Sequence, residues 1–176
     1  MEYRLVRSTR KTIAIQIMPD GEVVVRAPKR MNRAEINAFV ADKQAWVQKH
    51  LPRENDLLPK LSEEALRELA NRARERIPLR AEYYAPLIGV SYGRITIRSQ
   101  KTRWGSCSSK GNLSFNSLLM LAPDDVIDYV VVHELCHRKQ MNHSKAFWEE
   151  VARVFPDYET GRCWLREQGR KLIGRL

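Results

Sequence analysis

The sequence predicts an α+β fold. Two blocks of apolar alternation carry this reading, one within the first thirty residues and one around residues 90–116. Helical spacing fills the stretches between and after them, and no strand–helix–strand rhythm links the blocks.

In the first block, Ile13, Ile15 and Ile17 alternate, then Val23 and Val25, around a Pro19-Asp20-Gly21 turn. That is a hairpin signature, and the whole N-terminal region is expected to be antiparallel. Asn32 and Glu35 form a capping box that starts a helix running to about His50 through Ile36, Phe39, Val40, Trp46 and Val47. LPRENDLLPK, residues 51–60, reads as a connector, so a hairpin-plus-helix subdomain at 1–60 and a core at 61–176 are expected. A second helix starts at Ser62 and passes Leu66, Leu69, Ala73 and Ile77. Pro78 is expected to kink or split it.

SYGRITIRSQ then alternates through Ile95 and Ile97, KTRWGSCSS continues or bends at Gly105, and NLSFNSLLML is a short strand running into an apolar segment. Pro123, Asp124 and Asp125 open a helix whose stripe carries Val126, Val130, His133 and His137. Further helices are expected from about Ser144 to Phe155, stopped by Pro156, and from Tyr158 to Leu172. Phe147, Trp148 and Trp164 read as core.

At 176 residues with 43% hydrophobic content, the chain can bury a real core. The charged start MEYRLVRSTRK is no signal peptide, and no apolar run reaches membrane-span length, so a cytoplasmic location and no membrane partner are expected. Cys107, Cys136 and Cys163 form no disulfide framework and read as buried reduced thiols. The net charge of +10 favours acidic partners, nucleotides or nucleic acid. Its arginines are dispersed, which weakens the nucleic-acid reading. Oligomeric state is not legible.

Residues 131–148, VVHELCHRKQMNHSKAFW, hold the chemistry. His133 and His137 are four apart, about 40° of rotation on a helix, so both imidazoles point one way. Such a pair shares a zinc with a third ligand and leaves a fourth position for water. Glu134 is rotated by about 100° and suits a base for that water rather than a ligand. His143, where the chain leaves one helix for the next, is the favoured third ligand. Cys136 is the competitor, displaced by about 60° to the other side. Without a metal, two histidines and a glutamate on an apolar helix would be desolvated with nothing to compensate.

RWGSC, residues 103–107, has a mixed reading. Trp104, Gly105 and Cys107 suit a packed bend in a strand. Arg103 suits either that bend or an anion beside the metal. Tyr158 is a candidate hydrogen-bond donor to the site.

TRWGSCSSKGNLSFNSLLMLAP and VVVHELCHRKQMNHSKAFW together resemble the YgjP-like metallopeptidase family, which is related to the SprT-like and WLM zinc-peptidase domains. The resemblance spans nearly the whole chain. It implies one zinc per chain on His133, His137 and His143, with Glu134 as the base. It also implies a zincin-like fold, with the active-site helix under a small, mostly antiparallel sheet whose edge strand takes an extended substrate. Asn112 to Asn116 is the expected edge, which makes Asn112 and Asn116 candidate substrate contacts. The metzincin proteases share the histidine spacing but have Gly where this chain has Gln140, which argues against that branch.

The leading expectation is a zinc-dependent peptidase acting on peptide or protein through a zinc-bound water activated by Glu134. The alternative is a metal-dependent nucleoside triphosphate pyrophosphatase, suggested by the basic charge. A further alternative is a SprT-like protease acting on nucleic-acid-associated proteins. A purely structural zinc normally has four protein ligands, and only three are visible.

Overall fold

The computed structural model describes residues 1–52 and 58–176. Half of the connector expected at 51–60, residues 53–57, therefore lies outside the described residues. The chain divides into two compact units, Met1–Pro59 with Arg175, and Lys60–Gly174 with Leu176. Among the described residues, no helix is long and apolar enough to cross a membrane.

The first unit holds β1 (Arg4–Ser8), β2 (Ala14–Ile17), β3 (Val23–Pro28), α1 (Arg33–Asp42) and α2 (Gln44–His50). The hairpin forms between β2 and β3, with Ile17 opposite Val23. Gly21, at φ +85°, closes its turn in a backbone conformation that side-chain-bearing residues rarely adopt. β1 pairs with β3 in parallel, so the strand order is β1-β3-β2 rather than an antiparallel run. The apolar β3 takes the centre, where both of its edges are paired. The capping box at Asn32 and Glu35 is complete. The single helix expected to His50 breaks at Lys43 into α1 and α2, which bury Ile36 and Val40, and Val47, respectively.

The second unit opens with α3 (Glu63–Ile88), which Ser62 caps through its side chain. The helix is continuous through Pro78 and Pro86, so Pro78 does not split it. Leu69, Ala73, Ile77, Ala81, Ala85 and Ile88 form one buried stripe that continues past Pro78. Breaking the helix there would expose the last three, so packing outweighs the lost backbone hydrogen bond.

β4 (Ile95–Arg98), β5 (Gly105–Cys107) and β6 (Leu113–Asn116) form the second sheet in the order β4-β6-β5. β4 runs parallel to β6 and β5 antiparallel to it. Both sheets are thus mixed, not mostly antiparallel. The 112–116 segment, expected at an edge, is the centre of its sheet. Leu113 and Phe115 are fully buried, which favours the doubly paired position and leaves the more polar β4 and β5 at the edges.

A short 3-10 turn (Ser117–Leu121) leads to α4 (Asp124–Cys136), α5 (Lys145–Val154), α6 (Tyr158–Glu167) and α7 (Gly169–Ile173). The helix expected from Tyr158 to Leu172 is interrupted at Gln168, between α6 and α7. The core gathers the α3 stripe, Leu113 and Phe115 of β6, Leu118 and Leu119, the apolar positions of α4, and Phe147 and Val151 of α5.

Candidate metal centre

α4 is apolar nearly all round because it is buried nearly all round, and its last turn delivers two histidines to one side. His133 lies in that turn, and His137 follows at its C-terminal boundary. The loop 138–144 brings His143 back immediately before Ser144, which precedes α5. The three rings lie 4.8 to 4.9 Å apart, centroid to centroid. One nitrogen from each falls within 4.8 Å of the others. Cys136 is not among them. It is fully buried in the core, where desolvation pushes its thiol up to about 12.

Hydrogen bonding assigns the ring nitrogens. His137 Nδ1 lies 2.9 Å from the Gln140 carbonyl, which only accepts, so Nδ1 carries the proton and Nε2 is left with its lone pair. Gln140, which distinguishes the chain from metzincins, thus orients a histidine through its backbone. His133 Nε2 faces His143 Nε2 at 3.0 Å. Two ligands at ordinary zinc–nitrogen distances on a tetrahedral ion would stand about 3.3 Å apart. Burial, reinforced by the neighbouring His137 and His143, drives His133 down to about 3 and keeps it in the neutral, metal-binding form. Burial lowers His137 as well. Three imidazoles with a ring nitrogen each within 4.8 Å of the others fit a divalent ion and leave a coordination position open.

Phe147 lies beneath all three rings, with centroids 4.6 to 4.9 Å away, and is fully buried. Trp148 stands 5.8 Å from both His133 and His143. It is sandwiched further by Tyr158, stacked at 5.4 Å, and by the Arg162 guanidinium 4.6 Å from its ring centre.

Glu134 projects from α4 toward β5. It is 5% exposed, and its Oε2 is buried without a hydrogen-bond partner. Burial pushes its carboxyl up to about 8, while Arg103 pulls the other way. Gly105 makes the room for it: a Cβ there would fall 2.5 Å from Glu134 Oε1. The glycine of RWGSC is therefore a space requirement of the glutamate, which no pattern within either motif reveals.

The other expected residues are dispersed. Asn116 is buried, donates to the carbonyls of Gln100 and Arg103, and accepts from the Leu118 N–H. Every polar atom of its side chain is thus engaged in holding the strand end. Asn112 is exposed and accepts the Arg94 N–H. Tyr158 meets the histidines through Trp148. Arg103 is exposed and near enough for its charge to act on Glu134. Trp148, read as core, and Arg162, not singled out, are the residues that sequence reasoning missed. The one available signal was that Arg162 lies one helical turn from Tyr158.

A helix-borne histidine pair, a third histidine and an adjacent buried carboxylate define a metallohydrolase site. The YgjP-like metallopeptidase domain model matches residues 11–68 and 52–168, and the chain belongs to that family. It is similar to the metallopeptidase zymogen abylysin of Pyrococcus abyssi, at 25% identity over 52% of this chain and 95% of that one, with a TM-score of 0.47. It is also similar to the zymogen jannalysin of Methanocaldococcus jannaschii, at 19% identity over 53% of this chain and 97% of that one, with a TM-score of 0.47. No curated protein matches it.

Proposed function

We propose that the chain is a zinc-dependent peptidase in which His133, His137 and His143 hold the metal and Glu134 is the general base. The observation that carries this is the buried Glu134 carboxylate, one residue from the first histidine and with a buried unpartnered oxygen. Zinc, when bound, acidifies water and polarises a carbonyl. Glu134 takes the proton of the attacking water and returns it to the departing amine. The space over Gly105 lets the carboxylate stand clear of the strand. Gln140 holds His137 in the tautomer that offers Nε2. Phe147 and Trp148 wall the rings on the protein side, which lowers the local dielectric.

Metal analysis of the purified chain should give about one zinc per chain, with none retained by His133→Ala. Glu134→Gln should keep the metal and lose peptide hydrolysis by roughly 100-fold or more. A Glu134→Gln protein that still cleaves peptides removes this residue from the base role. A panel of peptides and nucleoside triphosphates, with Glu134→Gln as the blank, identifies the bond cleaved.

A further inference from the structure

The β4-β6-β5 sheet has a second side. Ile95, Ile97, Leu113 and Phe115 face the core. The alternate positions Thr96, Ser114 and Ser106 lie side by side across the three strands and face away from it. They floor a groove of about 560 Å³ walled by Arg94, Arg98 and Arg103. None of the residues lining it is acidic.

Some other arginines of the same unit are paired with carboxylates, while Arg72, Arg74 and Arg138 bond to carbonyl or amide oxygens. Arg76 and Arg80 are tied to Asp124 and Asp128, Arg153 to Glu150, and Arg162 to Glu159. Arg94, Arg98 and Arg103 have no carboxylate partner among the described residues. Three arginines lining one groove floored by hydroxyls, with no acidic residue in the lining, form a receptor for carboxylates or phosphates. The groove has no aromatic lining on which a nucleobase would stack, which disfavours a single-stranded nucleic acid.

We propose that this groove is an exosite that binds an acidic stretch of the substrate chain, Asp- and Glu-rich residues flanking the bond to be cleaved. The inference rests on the peptidase reading above. Its location supports it. Along β5, Gly105 turns toward Glu134 while the next residue, Ser106, lines the groove, so one edge strand separates recognition from chemistry. Arg103 belongs to the groove wall and lies within electrostatic reach of Glu134. An extended chain advances about 3.3 Å per residue, so acidic side chains a few residues from the scissile bond reach the arginines by passing over β5.

The test uses the full chain in two arms. In the first, metal-loaded Glu134→Gln is titrated with a fluorescein-labelled hexaglutamate peptide, a hexaglutamine peptide and a six-nucleotide single-stranded DNA, and anisotropy is read. The acidic peptide should bind at least about tenfold more tightly than the neutral one, and this advantage should vanish in Arg94→Ala/Arg98→Ala and at high salt. Equal binding of the two peptides, an unchanged advantage in the double variant, or tighter binding of the DNA would overturn the proposal. In the second arm, the active chain cleaves one scissile sequence carrying either a glutamate or a glutamine flank. The kcat/KM ratio should favour the glutamate flank and collapse toward unity in Arg98→Glu. A ratio of one in the unaltered chain also overturns it. Absence of any peptide cleavage would sink the peptidase reading instead, and the binding arm would still decide the exosite.

Discussion

The two sides of the β4-β6-β5 sheet are built from the same three strands and behave oppositely. On the inner side, Gly105 is bare so that a buried carboxylate fits against it, and Leu113 and Phe115 of the neighbouring strand are packed in the core. On the outer side, hydroxyls and unpaired arginines stand in water. Strand alternation sets them one residue apart. The inner side tolerates no change of volume.

The largest effect that would break this contrast is at Phe147. Truncation to Ala removes a fully buried ring from beneath all three histidines and should cost about 3–5 kcal/mol, read by denaturant unfolding, with weakened zinc retention. An unchanged stability would mean that the metal centre does not rest on the core. Gly105→Ala comes next. The added methyl displaces the Glu134 carboxylate, so kcat should fall by about 100-fold, worth roughly 2–3 kcal/mol, while metal content stays at the unaltered level. Metal loss together with activity would instead show that the strand itself had moved.

A smaller effect sits on the loop that carries His143. Glu150 on α5 accepts from Arg153 and from Lys139 of the loop, at 2.6 and 2.8 Å. Hydrogen bonding to Arg153 first, then to Lys139, holds its carboxyl below the usual range against some desolvation. Its contribution is therefore present at neutral pH and is lost as acidification carries the pH through the lowered folded value. Glu150→Gln should destabilise by about 1 kcal/mol at pH 7, and the gap should shrink below about pH 4. A gap that widens in acid would contradict the assignment. Smallest of all, Arg94→Ala and Arg98→Ala should leave stability within about 0.5 kcal/mol, because both side chains are exposed and unpaired.

Much of the metal centre was legible because it is local. His133, Glu134 and His137 share one helical stretch, and helix geometry alone separates the two histidines from the carboxylate. His143 follows after one short loop, and helix phase was enough to demote Cys136. The helix breaks at Lys43 and Gln168 were missed locally, and other misreadings were non-local. Pro78 was expected to kink or split α3, and the helix is not split, with a buried stripe continuing on either side. Asn116 looked like a substrate contact and is instead a buried strap for its own strand end. Trp148 packs against the core as expected, and what was missed is that it also borders the histidines.

The sequence by itself determined the α+β class, the positions of most helices and strands, and which histidines could gather at one point, because capping, periodicity and spacing act over a single helical turn or strand. Only the tertiary structure decided the strand order, the parallel pairings and the central place of β6, since alternation marks which face of a strand is buried but not which strand lies beside it. Only it revealed that Gly105 exists to admit Glu134, and that arginines scattered from residue 94 to residue 103 converge on one groove. Both depend on close approach between segments distant along the chain or separated by a turn, which a linear pattern does not encode.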